Sequence, residues 1–210
     1  MTLSPNHSIE RTFNSGPCPL LNAAHGKRLG FSRMVTVRAA QARDAEAAVD
    51  VVRRSIIELC TADHSGDVDT LTKWLANKTP QHFLTWLANE NNFCVIAVEN
   101  GEVLGVALVN RSGEISLFYL APHVQRRGIG RVLHATLEEK ARNWNLEKLH
   151  LNSTFVARHF YEALGYVPAG TAKSHFGVLR CYPYEKMLIP KSSSSGRDIG
   201  ATGADRRRST

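Results

Sequence analysis

No two of the four cysteines (Cys18, Cys60, Cys94, Cys181) stand in a C-x-x-C pair. That scatter speaks against a disulfide framework and against a zinc knuckle, and it favours a reducing, cytoplasmic setting. Long apolar runs are also missing. The uninterrupted ones extend for only a few residues, so the sequence predicts no membrane-spanning helix. There is no internal repeat. With 43% hydrophobic and 21% charged residues, the chain is not of the disordered class. Its 210 residues leave room for one sizeable domain.

The formal charge of +7 would suggest a nucleic-acid partner if it were spread over the chain. It is not. Residues 1–33 carry +3, residues 191–210 carry another +3, and the 157 residues between them carry +1. A nucleic-acid-binding domain wears its charge on the folded surface, so nucleic acid is not among the partners expected for this one. The first stretch holds Pro5, Pro17, Pro19, Asn14-Ser15-Gly16 and His25-Gly26 without apolar periodicity, which predicts a disordered extension over 1–33. It lacks the apolar core of a secretory signal; its Arg- and Ser-containing, acid-poor character would also suit a transit peptide. Met34-Val-Thr-Val-Arg reads as the opening of the folded domain, with Met34 as the expected physiological start. That domain is expected over 34–190, followed by a flexible Ser/Gly-rich basic tail over 191–210.

Inside the domain, strand and helix patterns alternate. Val35–Arg38 suits a strand. A helix from Asp44 carries Ala45, Ala48, Val49, Val52, Ile56 and Leu59 on one face. Two amphipathic helices are expected over 67–77 and 80–89. Phe93–Glu99 and Val103–Asn110 are strands joined by Asn100-Gly101, a strong hairpin signal. Glu114–Leu120 is a strand, 128–144 a long helix, 149–151 a strand and 155–164 a helix. Strands near Tyr166 and over 181–188 close the domain.

The informative stretch runs from Leu117 to Arg131, where strand, Ala121-Pro122, a short loop and a helix beginning at Gly128 and Gly130 follow one another. A helix start leaves backbone N–H groups unpaired and carries partial positive charge. Glycines there let an anion approach those N–H groups, and Arg126, Arg127 and Arg131 add formal charge. A diphosphate is the natural guest. A bare G-x-G also fits an ordinary strand-to-helix turn.

The surroundings decide between these readings. Gln125-Arg-Arg-Gly128-Ile-Gly130 after the strand resembles the acyl-CoA-binding motif of the GNAT family, the GCN5-related N-acetyltransferases. Further on, Ala157-Arg-His-Phe160-Tyr161-Glu-Ala-Leu-Gly165-Tyr166 is similar to the family's second signature, A-x-x-F-Y-x-x-x-G-F. The resemblance spans roughly Val35 to Leu188. It implies an α/β (α+β) domain: a mixed, mostly antiparallel sheet of about six to seven strands, splayed at its centre and flanked by about four to five helices. Acetyl-CoA would lie in the splay as cosubstrate, with no metal.

By position, the resemblance implies that the backbone of Phe118, Tyr119 and Leu120 pairs with the pantetheine arm. The segment Gln125, Arg126, Arg127, Gly128, Ile129, Gly130 and Arg131 would hold the pyrophosphate, and a backbone N–H near Leu120 would polarise the thioester carbonyl. Tyr161 aligns with the tyrosine that serves the departing thiolate. A phenol of pKa about 10 transfers its proton uphill to a thiol of about 8.5, so a hydrogen bond to sulfur is the expected role. Where many relatives have an asparagine contacting the cosubstrate, this chain has Thr154, which can still hydrogen-bond. Where some relatives acting on protein N-termini place a glutamate, it has Leu149.

The acceptor is expected to be a primary amine of a small molecule, peptide or protein. A lysine amine is neutral about once in 2,500 at pH 7, an α-amine about once in 6 to 10, so the former needs a base more. Some relatives draw a catalytic glutamate from the strand that Glu114 begins. Asp63 and His64 are candidate substrate contacts near the end of the first helix. Cys60, Asp63 and His64 together lack a fourth ligand or an orienting partner for a metal site or a Cys–His dyad. A non-catalytic acyl-CoA-binding or sensing module of the same fold is the alternative. Dimers are common among relatives, so a homodimer is among the expectations.

Overall fold

The computed structural model describes residues 11–13 and 34–188. The expected leader and tail therefore lie outside the described residues, with one exception. Arg11–Phe13 forms a short strand, β1, within the stretch expected to be disordered, and it pairs antiparallel with β2 (Val35–Ala39).

A 3-10 turn over Ala42–Asp44 links β2 to α1 (Ala45–Arg54). The Asp44 carboxylate holds this junction, taking both guanidinium ends of Arg38 at 2.7 and 2.8 Å and the Gln41 N–H at 2.8 Å. Ala45, Ala48, Val49 and Val52 are buried at helical spacing, as the sequence pattern requires. The helix expected to run unbroken to Leu59 changes character at Ser55. Ser55–Leu59 winds as a π-helical turn, and α2 (Thr61–His64) follows after Cys60.

Two capped helices come next. Asp67 accepts the Thr70 N–H at 2.7 Å to open α3 (Val68–Leu75), and Thr79 with Pro80 behind it opens α4 (Pro80–Ala88). β3 (Asn92–Glu99) turns through Asn100 and Gly101, both at positive φ, into β4 (Glu102–Asn110). Val103 to Val109 is buried without alternation, as befits a strand covered on both faces, here by α1 and α5 (Ile129–Asn143).

The sheet runs β1-β2-β3-β4-β5, with β5 spanning Ile115–Leu120. A second sheet is built on β6 (Lys148–Ser153) and β9 (Arg180–Met187), with the two-residue β7 (Val167–Pro168) on β9; β8 (Lys173–Ser174) also pairs with β9. α6 (Arg158–Glu162) follows β6 and is shorter than the helix expected over 155–164.

All the ladder pairings are antiparallel. Among the described residues, β5 and β6 meet in a parallel bridge only at Glu114 and His150, where the His150 N–H donates to the Gly113 carbonyl at 2.9 Å. Beyond that point the two strands part. This is the α+β architecture with a splayed centre that the sequence leads one to expect. Among the described residues, no helix is long and apolar enough to cross a membrane.

Candidate active site

The parting of β5 and β6 opens a cavity of about 440 Å³. β5 contributes Phe118, Tyr119 and Leu120, and the loop before α5 contributes Gln125 and Arg126. Asn152, Ser153 and Thr154 line it from the other strand, Phe160 and Tyr161 from α6, and Ser55, Leu59 and Cys60 from the π-turn and its end.

One edge of β5 is committed. The Ala121 N–H donates to the Leu104 carbonyl across β4 at 2.9 Å, and Tyr119 pairs with Val106. Alternation along a strand then turns the N–H and C=O of Leu120 and Phe118 towards the open side, where β6 has moved away. Among the described residues no strand pairs with that side, and backbone groups so placed suit an extended guest with amides of its own.

At one end of this edge sits the start of α5. Gly128 is its N-cap at φ +81°, and a Cβ there would meet nothing within 4 Å. Its glycine is required by the left-handed turn, and the space beside it is open. Gly130 serves differently. A Cβ on it would stand 3.1 Å from the Phe160 ring, so the residue lets α6 close on α5 and is itself buried. Arg126, at φ +60°, lines the cavity, and Arg131 is exposed on the first turn of α5. Arg127 is already engaged: its guanidinium donates to Glu99 Oε1 at 2.6 Å. Ile129 is buried. Of this segment only Gln125 and Arg126 line the cavity; Gly128, Ile129, Gly130 and Arg131 lie beyond its lining, and Arg127 is tied to the sheet.

Tyr161 is only 6% exposed, yet it lines the cavity and its hydroxyl has no hydrogen-bond partner among the described residues. Three rings fix its position: Phe160 at 5.3 Å, Tyr166 at 5.5 Å and Phe118 at 6.1 Å between centroids. Burial pushes its phenol well above the ordinary value, with Tyr119 and Cys60 adding to the rise. Burial pushes the Cys60 thiol up to about 12, with Asp63 adding to it. Both groups therefore stay protonated through the neutral range.

The structure does not bring the remaining candidates to this cavity. Glu114 stands at the closed end of the splay, where its carboxylate accepts from Asn110 Nδ2 at 3.2 Å. Asp63, expected at the acceptor, is buried and accepts the N–H groups of Phe155 (2.5 Å) and Val156 (3.4 Å), so it ties α2 to the loop before α6. His64 is buried too. Its Nδ1 accepts the Gly66 N–H at 3.0 Å, which leaves Nε2 to donate to the Ile57 carbonyl at 3.3 Å. Both side chains are spent on backbone groups. Among the described residues, no three His, Cys, Asp or Glu side chains gather as metal ligands.

Ser55 and Leu59 were not among the expected site residues. Leu59 reads from sequence as core. Ser55, a hydroxyl between inward-facing Val52 and Ile56, is the polar interruption in the apolar face that could have pointed here.

A match to the family profile described as acetyltransferase (GNAT) domain covers residues 60–188, more than half of the chain. The chain belongs to the GNAT acetyltransferase family. Among solved structures, a GCN5-related N-acetyltransferase from Rhodopseudomonas palustris is 23% identical, with a TM-score of 0.65 over 72% of this chain and 94% of that one. The PaiA N-acetyltransferase from Thermoplasma acidophilum, solved with coenzyme A, is 17% identical at a TM-score of 0.59, covering 73% and 98% of the two chains. The ribosomal-protein-S18-alanine N-acetyltransferase of Escherichia coli is 17% identical at 0.58, covering 77% and 98%. At these identities the likeness is one of fold. No curated protein matched the chain by sequence. GNAT proteins use acetyl-CoA, and the cavity described above lies where β5 and β6 part.

Proposed function

We propose that the protein transfers an acetyl group from acetyl-CoA to a primary amine by direct attack of the amine on the thioester. The observation that carries this reading is the Tyr161 hydroxyl, unpartnered among the described residues and placed on a cavity that Gln125 and Arg126, of the loop leading into α5, also line.

The open edge at Phe118 and Leu120 would pair with the amides of the pantetheine arm. The first N–H groups of α5, the turn at Gly128 and the Arg126 guanidinium would hold the pyrophosphate, with Arg131 nearby in solvent. Thr154, on the opposite wall, has a hydroxyl to offer the same arm. The Leu120 N–H would donate to the thioester oxygen as charge develops there. Tyr161 would donate a hydrogen bond to the departing sulfur. Its raised phenol keeps the proton, because transfer to a thiolate of ordinary pKa near 8.5 runs further uphill than it would for an exposed tyrosine.

Acetyl-CoA supplies the activated acyl group. The amine nitrogen forms the new N–C bond and the C–S bonding pair leaves on sulfur. One proton leaves nitrogen and one joins sulfur, so no net proton is consumed. Cys60, un-ionised at neutral pH, is a poor nucleophile for a covalent alternative. The placement of Glu114 beside Asn110 gives no support to its role as base.

Release of free CoA against a panel of amines tests this. With an accepted amine, the wild type should release one CoA per acetylated product. Tyr161→Phe should lose about 100-fold in kcat while CoA affinity by calorimetry changes less than about threefold. Equal losses in both would make Tyr161 a packing residue. Tight CoA binding without release for any amine would favour a sensing module.

A further inference from the structure

Which amine this cavity would take can be read from the charges around it. Resting on the acetyltransferase reading above, we infer that the acceptor is an apolar, weakly basic primary amine that enters as its free base, such as the α-amine of an apolar residue. Polyamines and aminoglycosides are the class it should discriminate against.

The ionisable side chains lining the cavity are Cys60, Tyr119, Tyr161 and Arg126; among the described residues that line it there is no carboxylate and no histidine. Both tyrosines and Cys60 are held protonated by burial, so none carries negative charge at neutral pH. The acidic groups nearest along the chain are engaged elsewhere. Asp63 is turned onto the Phe155 and Val156 N–H groups, Glu58 pairs with Arg54 at 3.0 Å, Glu114 accepts from Asn110, and Glu162 accepts from the Tyr184 hydroxyl at 2.6 Å. A polycation entering here would leave its extra ammonium groups without counter-charges, at a cost no hydrogen bond to serine or asparagine repays.

The surface leading into the cavity points the same way. Val156, 41% exposed, lines the cavity, and its neighbour Phe155 is 49% exposed. A cation stands on this apolar margin, the Arg158 guanidinium, 4.3 Å from the Phe155 ring centroid. An apolar substituent gains burial on such a margin, while a second ammonium meets Arg158.

The same side chains decide the state in which the amine must arrive. With no side chain of the cavity titrating near neutrality, the amine must lose its ammonium proton to solvent before it attacks. An α-amine of pKa about 8 offers about a tenth of its molecules in reactive form at pH 7, a lysine amine a few ten-thousandths.

The test is steady-state CoA release by the full chain with leucine amide, phenylalanine amide, N-acetyl-lysine amide, spermidine and kanamycin, each from pH 6 to 9.5. We expect kcat/KM for the two α-amines to exceed that for spermidine and kanamycin at least tenfold at pH 7.5. Each kcat/KM profile should rise with unit slope up to the acceptor's own pKa, bending near 8 for the two α-amines and still rising at pH 9.5 for the lysine amine of pKa about 10.4. Val156→Asp should narrow the preference over spermidine at least fivefold while CoA affinity holds. Preference for spermidine or kanamycin, or a bend that stays at one pH whatever the acceptor, overturns this inference and leaves the acetyltransferase reading standing. Bound CoA with no release from any acceptor overturns both. Should Val156→Asp fail to fold, the wild-type profiles alone decide.

Discussion

Tyr161 keeps its proton because it is buried among rings, and its hydroxyl is left without a partner among the described residues. Those facts separate two kinds of substitution. Tyr161→Phe removes only the oxygen and should spare packing. Phe160→Ala, next to it, removes a ring that touches Phe118 at 5.3 Å between centroids and leans on Gly130, so it should cost about 3–5 kcal/mol in stability. Thermal melts of the pair check the distinction; equal destabilisation would contradict it. Arg127 makes a similar point among the basic residues of the loop. Its pairing with the nearly buried carboxylate of Glu99 means that Glu99→Gln should cost about 1–2 kcal/mol of stability and leave CoA affinity within about threefold. A large loss of CoA affinity in Glu99→Gln with no loss of stability would show Arg127 working on the phosphates.

At the scale of elements, α5 matters for how it begins. Gly128 and Gly130 look equivalent in sequence and are not so in space. Gly128→Ala forces a Cβ into a left-handed backbone and should cost about 1 kcal/mol, with nothing nearby to be displaced. Gly130→Ala presses on Phe160 at 3.1 Å and so on the helix carrying Tyr161, and should lower kcat several-fold along with stability by about 1–3 kcal/mol. Crystal structures and kinetics of the two variants would show a shifted Phe160 in the second only.

These elements also show what could be read from the chain. The β3–β4 hairpin was legible because Asn100-Gly101 permits both central residues a positive φ, and β4 because its apolar run lacks alternation. The helix start at Gly128 and the tyrosine at 161 were legible as motifs. The roles of Asp63 and His64 were not. Their partners are backbone groups at Phe155, Val156, Ile57 and Gly66, and such bonds leave no trace in residue type. The π-turn was equally hidden, since its apolar spacing is that of an ordinary helix; Ser55 alone interrupts it.

At the scale of the molecule, the two half-sheets are pinned together beside the cavity by a buried polar cluster. His134 of α5 meets the Tyr166 hydroxyl at 2.9 Å, while Glu138 pairs with Arg142 at 3.1 Å and with Lys186 of β9. Burial lowers the His134 imidazole to about 4, with Glu138 pulling it up and Lys186 and Arg142 pushing it down. In the unfolded chain it titrates near 6.5, so between those values the unfolded state holds a proton that the folded state does not. Stability from this group is therefore whole above pH 6.5 and drains away as the pH falls to 4, by up to about 3 kcal/mol. Urea titrations at pH 7, 5.5 and 4.5 should show that slope, and His134→Gln should flatten it. Parallel slopes for the two proteins would contradict the burial argument.

The claim on which the functional reading rests is that the start of α5 grips a pyrophosphate. Calorimetric titration of the full chain with coenzyme A and, separately, with pantetheine tests it most directly. Coenzyme A should bind at least 100-fold more tightly than pantetheine. Equal affinities, or no binding of coenzyme A at all, would contradict it.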